Sequence, residues 1–161
     1  MSLNQNLPYR PCAGIMLFNK QGRVLVGQRL DSYQNSWQLP QGGIDEGEDP
    51  KVAALRELKE EIGTCNAKII GEIKNWLNYD LPPELLGKIW KGRFRGQTQK
   101  WFAMRFLGAD IEISPKTVPN PEFSAWKWVD IGEIQKLAVP FKRSVYQSVV
   151  CEFSQFAKIH E

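Results

Sequence analysis

Between Gly42 and Gly63 the chain reads GGIDEGEDPKVAALRELKEEIG, a stretch that sets Glu48, Arg56, Glu57, Glu60 and Glu61 between two glycines. Seven specified positions at roughly 7% each would fit a given window by chance about once in 10^8, so the grouping reads as a site. Glu57, Glu60 and Glu61 are three and four residues apart, which on a helix gathers them on one side. Three like charges within a turn repel one another, so something positive is expected among them. Carboxylate oxygens suit a hard divalent cation, magnesium above all, whose other ligands are waters and substrate phosphates. The chemistry this points to is cation-assisted cleavage of a phosphate compound. Glu48, six residues after Gly42, either completes the acidic patch or holds Arg56 by a salt bridge.

A helix must carry these groups. Asp49 is a fitting N-cap, Pro50 suits the first helical position, and Gly63 stands just past the end. On a helical wheel Val52, Leu55, Leu58 and Ile62 form an apolar side. Ala53 falls on the carboxylate side, where a small side chain leaves room for a ligand. Upstream, residues 13–18 and 23–30 read as a strand hairpin turned at Asn19-Lys20-Gln21-Gly22. Further strands are expected at 69–77, 101–107 and 125–129, then a short helix at 131–137. A final helix over 143–158 points Val145, Val149, Phe153 and Phe156 at the core. Strands alternating with helices in this order suit a mixed layered fold.

The 161 residues suffice for one compact domain, and 42% hydrophobic residues with six Trp and eight Phe supply a core. Cys12, Cys65 and Cys151 are odd in number and far apart, which points to reduced buried thiols and a cytoplasmic location. His160 is the single histidine, one residue from the C-terminus, so histidine triads are excluded and proton transfer falls to carboxylates, lysines or metal-bound water. No signal peptide or apolar run of membrane-spanning length occurs, which argues against secretion and a membrane partner; no stable protein partner is expected either. Net charge is only +3, but its distribution is uneven. The stretch 42–63 has seven acids and three bases, while 85–109 has Lys88, Lys91, Arg93, Arg95, Lys100 and Arg105 and no acid. Interleaved with Trp90, Phe94 and Trp101, that basic stretch fits a polyphosphate or single-stranded nucleic acid; the competing reading is a basic surface with core aromatics.

The pattern G-x5-E-x7-R-E-x-x-E-E-x-G resembles that of the Nudix hydrolases over residues 42–64, with Thr64 standing where the family usually has an aliphatic residue. The resemblance implies an α+β fold, an α/β/α sandwich around a mixed sheet in one domain over residues 1–161. It also implies hydrolysis of a nucleoside diphosphate linked to another group. Glu57, Glu60 and Glu61 would be metal ligands, with the Gly42 carbonyl a further one, and Mg²⁺ (or Mn²⁺ or another divalent ion) the cofactor. Tyr9-Arg10-Pro11, Ser36-Trp37-Gln38-Leu39-Pro40-Gln41-Gly42-Gly43, Asn75-Trp76-Leu77, Gln99-Lys100-Trp101-Phe102, Pro121-Glu122-Phe123, Trp126-Lys127-Trp128-Val129 and Phe141-Lys142-Arg143 are similar to the bacterial RNA pyrophosphohydrolases of that family. By this likeness Glu122 is a fourth catalytic or metal-binding carboxylate. Arg10 and Arg29 contact phosphates, Lys100 and Tyr79 line the same cleft, and Val139, Phe141 and Lys142 receive a base. The implied reaction removes pyrophosphate from 5′-triphosphate RNA ends and so initiates RNA decay. Dinucleoside oligophosphate hydrolases share these motifs, which leaves diadenosine tetraphosphate as an alternative substrate. A non-catalytic module that binds a nucleotide or RNA is a rival that intact Glu57, Glu60 and Glu61 speak against, and a housecleaning enzyme for free damaged nucleotides is a second.

Overall fold

The structure is a computed structural model that describes residues 6–30 and 36–158; His160 lies outside the described residues. Strands β1 (Tyr9–Phe18) and β2 (Val24–Arg29) form the expected hairpin. Its turn is closed by Asn19 Oδ1, which accepts from the amides of Gln21 and Arg23 at 3.0 and 2.9 Å, and by Gly22 at φ 77°. Two short strands follow, β3 (Trp37–Gln38) and β4 (Gln41–Gly43), then helix α1 (Pro50–Ile62). The second half holds β5 (Ala67–Glu72), β6 (Leu77–Asp80), β7 (Gly96–Phe106) and β8 (Phe123–Val129). Helices α2 (Ile134–Leu137) and α3 (Arg143–Phe153) complete the fold.

β1 and β7 run parallel at the centre of the sheet, in register from Tyr9 opposite Gly96 to Phe18 opposite Arg105. Every other pairing is antiparallel, which makes the sheet mixed. A parallel pair buried on both faces needs apolar residues on both. Ala13, Ile15 and Leu17 of β1 join Phe102 and Met104 of β7 beneath Ala53, Ala54, Leu58 and Ile62 of α1. Met16, Phe18, Trp101 and Ala103 face the other way, onto Val145, Tyr146, Val149 and Phe153 of α3. One helix layer on each side gives the α/β/α sandwich of an α+β fold.

Several expectations change. Val52 is 58% exposed, whereas Ala53 is fully buried and joins Ala54 against the sheet. The small side chain at Ala53 serves close helix–sheet approach, and the apolar stripe is rotated from the one periodicity suggests. The strand expected over 69–77 is two strands, because β5 pairs with the second half of β7 and β6 with its first half. The last helix stays α-helical only to Phe153 and ends in a 3-10 turn at Ser154–Phe156. Cys12 is buried, but Cys65 and Cys151 are exposed. Thr64 is buried, and its hydroxyl donates to Glu112 at 3.3 Å and accepts from the Asn66 amide at 3.1 Å, so the polar residue finds partners in an apolar position.

Candidate active site

Helix α1 begins and ends as its sequence requires. Asp49 accepts from the Lys51 amide at 2.8 Å, Pro50 opens the helix, and Gly63 closes it at φ 89° with its amide on the Lys59 carbonyl. The helix packs beside β4 and β1, so the carboxylates of Glu61 and Glu57 meet the backbone of Gln41 and Gly42 rather than open solvent. Gly42 is required at that contact, because a Cβ there would overlap the Glu57 carboxylate.

The three glutamates differ sharply in environment. Glu60 is more than half exposed, the Glu57 side chain is 13% exposed, and Glu61 is buried. Glu61 Oε1 accepts from the Gln41 amide at 2.6 Å, while its Oε2 meets no hydrogen-bond donor among the described residues. Arg56 organises the rest. Its Nε and Nη2 grip both oxygens of Glu48 at 2.8 Å, Nη2 also reaches the Gly43 carbonyl at 2.9 Å, and Nη1 bridges Glu57 at 2.8 Å and Glu60 at 3.3 Å. Of the two roles open to Glu48, the structure gives it the grip on Arg56. That grip and the Asp45 amide hold the Glu48 carboxyl down at about 2.

Burial acts in the opposite direction on the neighbours. It pushes Glu57 up to about 7, against the pull of Arg56 and with added repulsion from Glu60 and Glu122. Glu61 is raised well above the ordinary range by burial, then by Glu122 and Glu57. Among the described residues no three acidic groups converge on one point, because Arg56 lies between Glu57 and Glu60. A hard cation that keeps waters and phosphate oxygens as ligands needs only one or two protein carboxylates at a time. The orphaned Glu61 oxygen beside Glu57 and Glu122 fits such an ion, which would offset the burial, and the added repulsion, that raise both carboxyls.

Three of the acids border a cavity of about 600 Å³. Glu57, Glu60 and Glu122 line it with Arg10, Arg29, Tyr79, Val139, Phe141 and Lys142. Arg10 runs between Gly43, where a Cβ would meet its guanidinium at 2.6 Å, and the ring of Trp90, 5.7 Å from its centroid. Tyr79 and Phe141 pair at 5.6 Å between centroids, and the Lys142 ammonium reaches the Tyr79 face and the Gln38 side-chain oxygen, the latter at 3.2 Å. Arg29 Nη1 donates to the same Gln38 oxygen at 3.5 Å. The cleft therefore joins an acidic side to a cationic, aromatic one.

The NUDIX domain family matches residues 8–149 of this chain. The chain belongs to the Nudix family. The RNA pyrophosphohydrolase of Rhodospirillum rubrum is 58% identical to it over 151 residues, covering 94% of this chain and 90% of that protein. That of Sphingopyxis alaskensis is 55% identical over 152 residues, 93% of this chain and 96% of the relative. Among solved structures, the dihydroneopterin triphosphate pyrophosphohydrolase of E. coli superposes with a TM-score of 0.67 at 22% identity, covering 90% of this chain and 99% of that one, a likeness of fold.

Within this Nudix domain one expected contact is not brought to the cleft. Lys100 is adjacent in sequence to cleft-side residues but points to the opposite face of β7, where its ammonium binds the carbonyls of Ile73 and Lys74 at 2.7 and 3.2 Å and Glu72 at 3.1 Å. Strand alternation explains this, because Gln97, Gln99 and Trp101 share one face and Lys100 takes the other. Half of the basic stretch is likewise structural. Arg95 pairs with Asp80 at 2.9 Å, and Arg105 donates to the Asn19 and Phe156 carbonyls. Of its aromatics, Trp101 is fully buried in the core and Trp90 lines the cleft. Gln41 and Gln97 also line the cleft, although no sequence motif marks them as functional on chemical grounds. The period-two alternation of β7, carried back from Trp101, is the signal that places Gln97 on the cleft face.

Proposed function

We propose that this Nudix protein is a Mg²⁺-dependent RNA 5′-pyrophosphohydrolase that removes pyrophosphate from 5′-triphosphate ends in the cytoplasm and so opens RNA to decay. The observation that carries the reading is a cleft with half-buried Glu57 and exposed Glu60 and Glu122 on one side and Arg10, Arg29, Lys142 and the Tyr79–Phe141 pair on the other. Full-length likeness to RNA pyrophosphohydrolases at above 50% identity supports the same assignment.

In this reading Arg10 and Arg29 bind the phosphate chain, whose oxygens suit a guanidinium fork. Phe141 stacks on a base of the RNA, with Val139 and Lys142 beside it. Glu57, Glu60, Glu61 and Glu122 would hold the divalent ion, one or two of them at a time, with the Gly42 carbonyl as a further ligand. That ion, when bound, lowers the pKa of water and neutralises charge on the phosphate oxygens. A water oxygen forms a bond to phosphorus, the bridging P–O bond to the departing pyrophosphate breaks, and the water proton passes to a carboxylate of the set Glu57, Glu61 and Glu122. The products are pyrophosphate and a 5′-monophosphate RNA end. Arg56 acts by holding Glu57 and Glu60 in place while Glu48 anchors it.

The test is to incubate the protein with Mg²⁺ and, in parallel, 5′-triphosphate RNA, diadenosine tetraphosphate and free nucleoside triphosphates, measuring released pyrophosphate and nucleotides. RNA should be turned over fastest, and Glu60→Gln should lower that rate by about two orders of magnitude with the fold intact. Faster cleavage of diadenosine tetraphosphate would reassign the substrate, and no turnover of any would overturn the enzyme reading.

A further inference from the structure

Trp101 is fully buried in β7, and its indole Nε1 stands 3.0 Å from Gln99 Oε1. An indole N–H donates and cannot accept, so the Gln99 atom that meets it must be the carbonyl oxygen. The other end of that amide is then its NH₂, which donates to the Gln41 side chain at 2.8 Å and to the Gln97 side chain at 2.7 Å. Both receiving atoms must be oxygens. One donor-only group thus dictates the orientation of three amides, each of which could otherwise turn over.

The consequence appears at the cleft. Gln41 and Gln97 line it, their oxygens are taken by Gln99, and neither NH₂ group has a partner among the described residues. Two neutral donors call for a ligand rich in acceptors and poor in donors, which describes phosphoryl oxygens. Gln41 also ties this pair to the hydrolytic side, since its backbone amide is the group that holds Glu61 Oε1.

We propose that Trp101, acting through Gln99, is a positioning residue that turns the NH₂ groups of Gln41 and Gln97 into the cleft as donors to non-bridging oxygens of the substrate's polyphosphate chain. This rests on the reading of the cleft as a polyphosphate site and adds to it a neutral donor pair set from the core. A neutral pair grips the chain without adding positive charge beside Arg10, and its geometry is fixed before substrate arrives.

The experiment is a titration of the ¹⁵N-labelled full chain with inorganic tripolyphosphate, without divalent cation, following the glutamine side-chain NH₂ signals and Arg10 Nε. Tripolyphosphate has no base, so a response cannot come from base recognition. The Gln41 and Gln97 signals should shift saturably with the same dissociation constant as Arg10. In Trp101→Phe that constant should rise about tenfold or more, the scale of a hydrogen bond to a charged group. Because that variant leaves a void in the core, Gln97→Glu is the second arm: it retains an acceptor for Gln99 but presents a carboxylate oxygen to the cleft. It should weaken tripolyphosphate binding by at least about tenfold and raise KM for triphosphate RNA with kcat within about threefold. Movement of Arg10 with both glutamine NH₂ groups unmoved, or an unchanged affinity in Gln97→Glu, would overturn the proposal and leave the polyphosphate cleft standing. If neither Arg10 nor the glutamines move, the polyphosphate reading falls with it.

Discussion

Replacing Glu61 by Gln tests whether the buried carboxylate is there for a cation. In the fold Glu61 is 2% exposed, Oε1 is held by the Gln41 amide at 2.6 Å, and Oε2 meets no donor among the described residues, with the Glu57 and Glu122 carboxyls nearby. Gln keeps the acceptor toward Gln41 and puts a donor where the orphaned oxygen stood, facing Glu122. An unsatisfied buried polar group costs about 1–3 kcal/mol, more when charged, so without divalent ion the variant should be more stable by about that amount. For a chain of this length that is a rise in Tm of roughly 2–12 °C. The sign has a pH signature. The Glu61 carboxyl is raised in the fold, so its stability cost is absent below the ordinary carboxylate range and grows as pH rises above it. The advantage of Glu61→Gln should therefore disappear near pH 4 and grow as the pH is raised to 7.5. Added Mg²⁺ reverses the ranking. At a hundred times its dissociation constant an ion stabilises the native state by about 2.7 kcal/mol, roughly 5–11 °C, in the wild type, and most of that gain should be missing in the variant. Differential scanning fluorimetry with and without Mg²⁺ at pH 4.5 and 7.5 measures all four states. Equal Mg²⁺-induced shifts in wild type and variant would refute the argument.

Three more outcomes follow from the same geometry. Glu57 titrates near 7 without a cation, so divalent binding should release a proton below that pH and weaken by up to about tenfold per unit between pH 7 and 6, which calorimetry in buffers of different ionisation enthalpy would detect. Arg56→Ala strips partners from Glu48, Glu57, Glu60 and the Gly43 carbonyl and should cost about 2–4 kcal/mol in urea unfolding at neutral pH, whereas an unchanged midpoint would mean those contacts are dispensable. Trp90→Ala frees the Arg10 guanidinium on one side and should raise KM for triphosphate RNA about 2- to 30-fold while kcat changes little; an effect on kcat alone would place Trp90 elsewhere in the reaction.

Local rules explain what was legible in the chain. The Asp49 cap, Pro50 and Gly63 each act within a turn of their own position, and all three appear where the sequence places them. The Asn19–Gly22 turn and the core face of α3 at Val145, Val149 and Phe153 are likewise short-range patterns, and they hold. Departures from expectation arise where a distant element decides. Periodicity makes Ala53 part of the open carboxylate side, but the sheet approaches so closely there that only a small residue fits. Lys100 carries the right charge beside the right neighbours, yet the parity of β7 sends it to the carbonyls of Ile73 and Lys74.

The sequence by itself determined the α1 segment, the acids it bears and the Nudix family to which the chain belongs, because a capped amphipathic helix with a fixed residue spacing is encoded over consecutive positions. Tertiary structure alone decided how those acids differ. Burial against β4 makes Glu61 and Glu57 hard to ionise and leaves Glu60 in solvent, a consequence of desolvation that spacing does not contain. It also brought Arg10, Gly43 and Trp90 together and tied Gln41 to the Gln97–Gln99–Trp101 run of β7, distant segments that meet because β1 pairs with β4 on one side and β7 on the other.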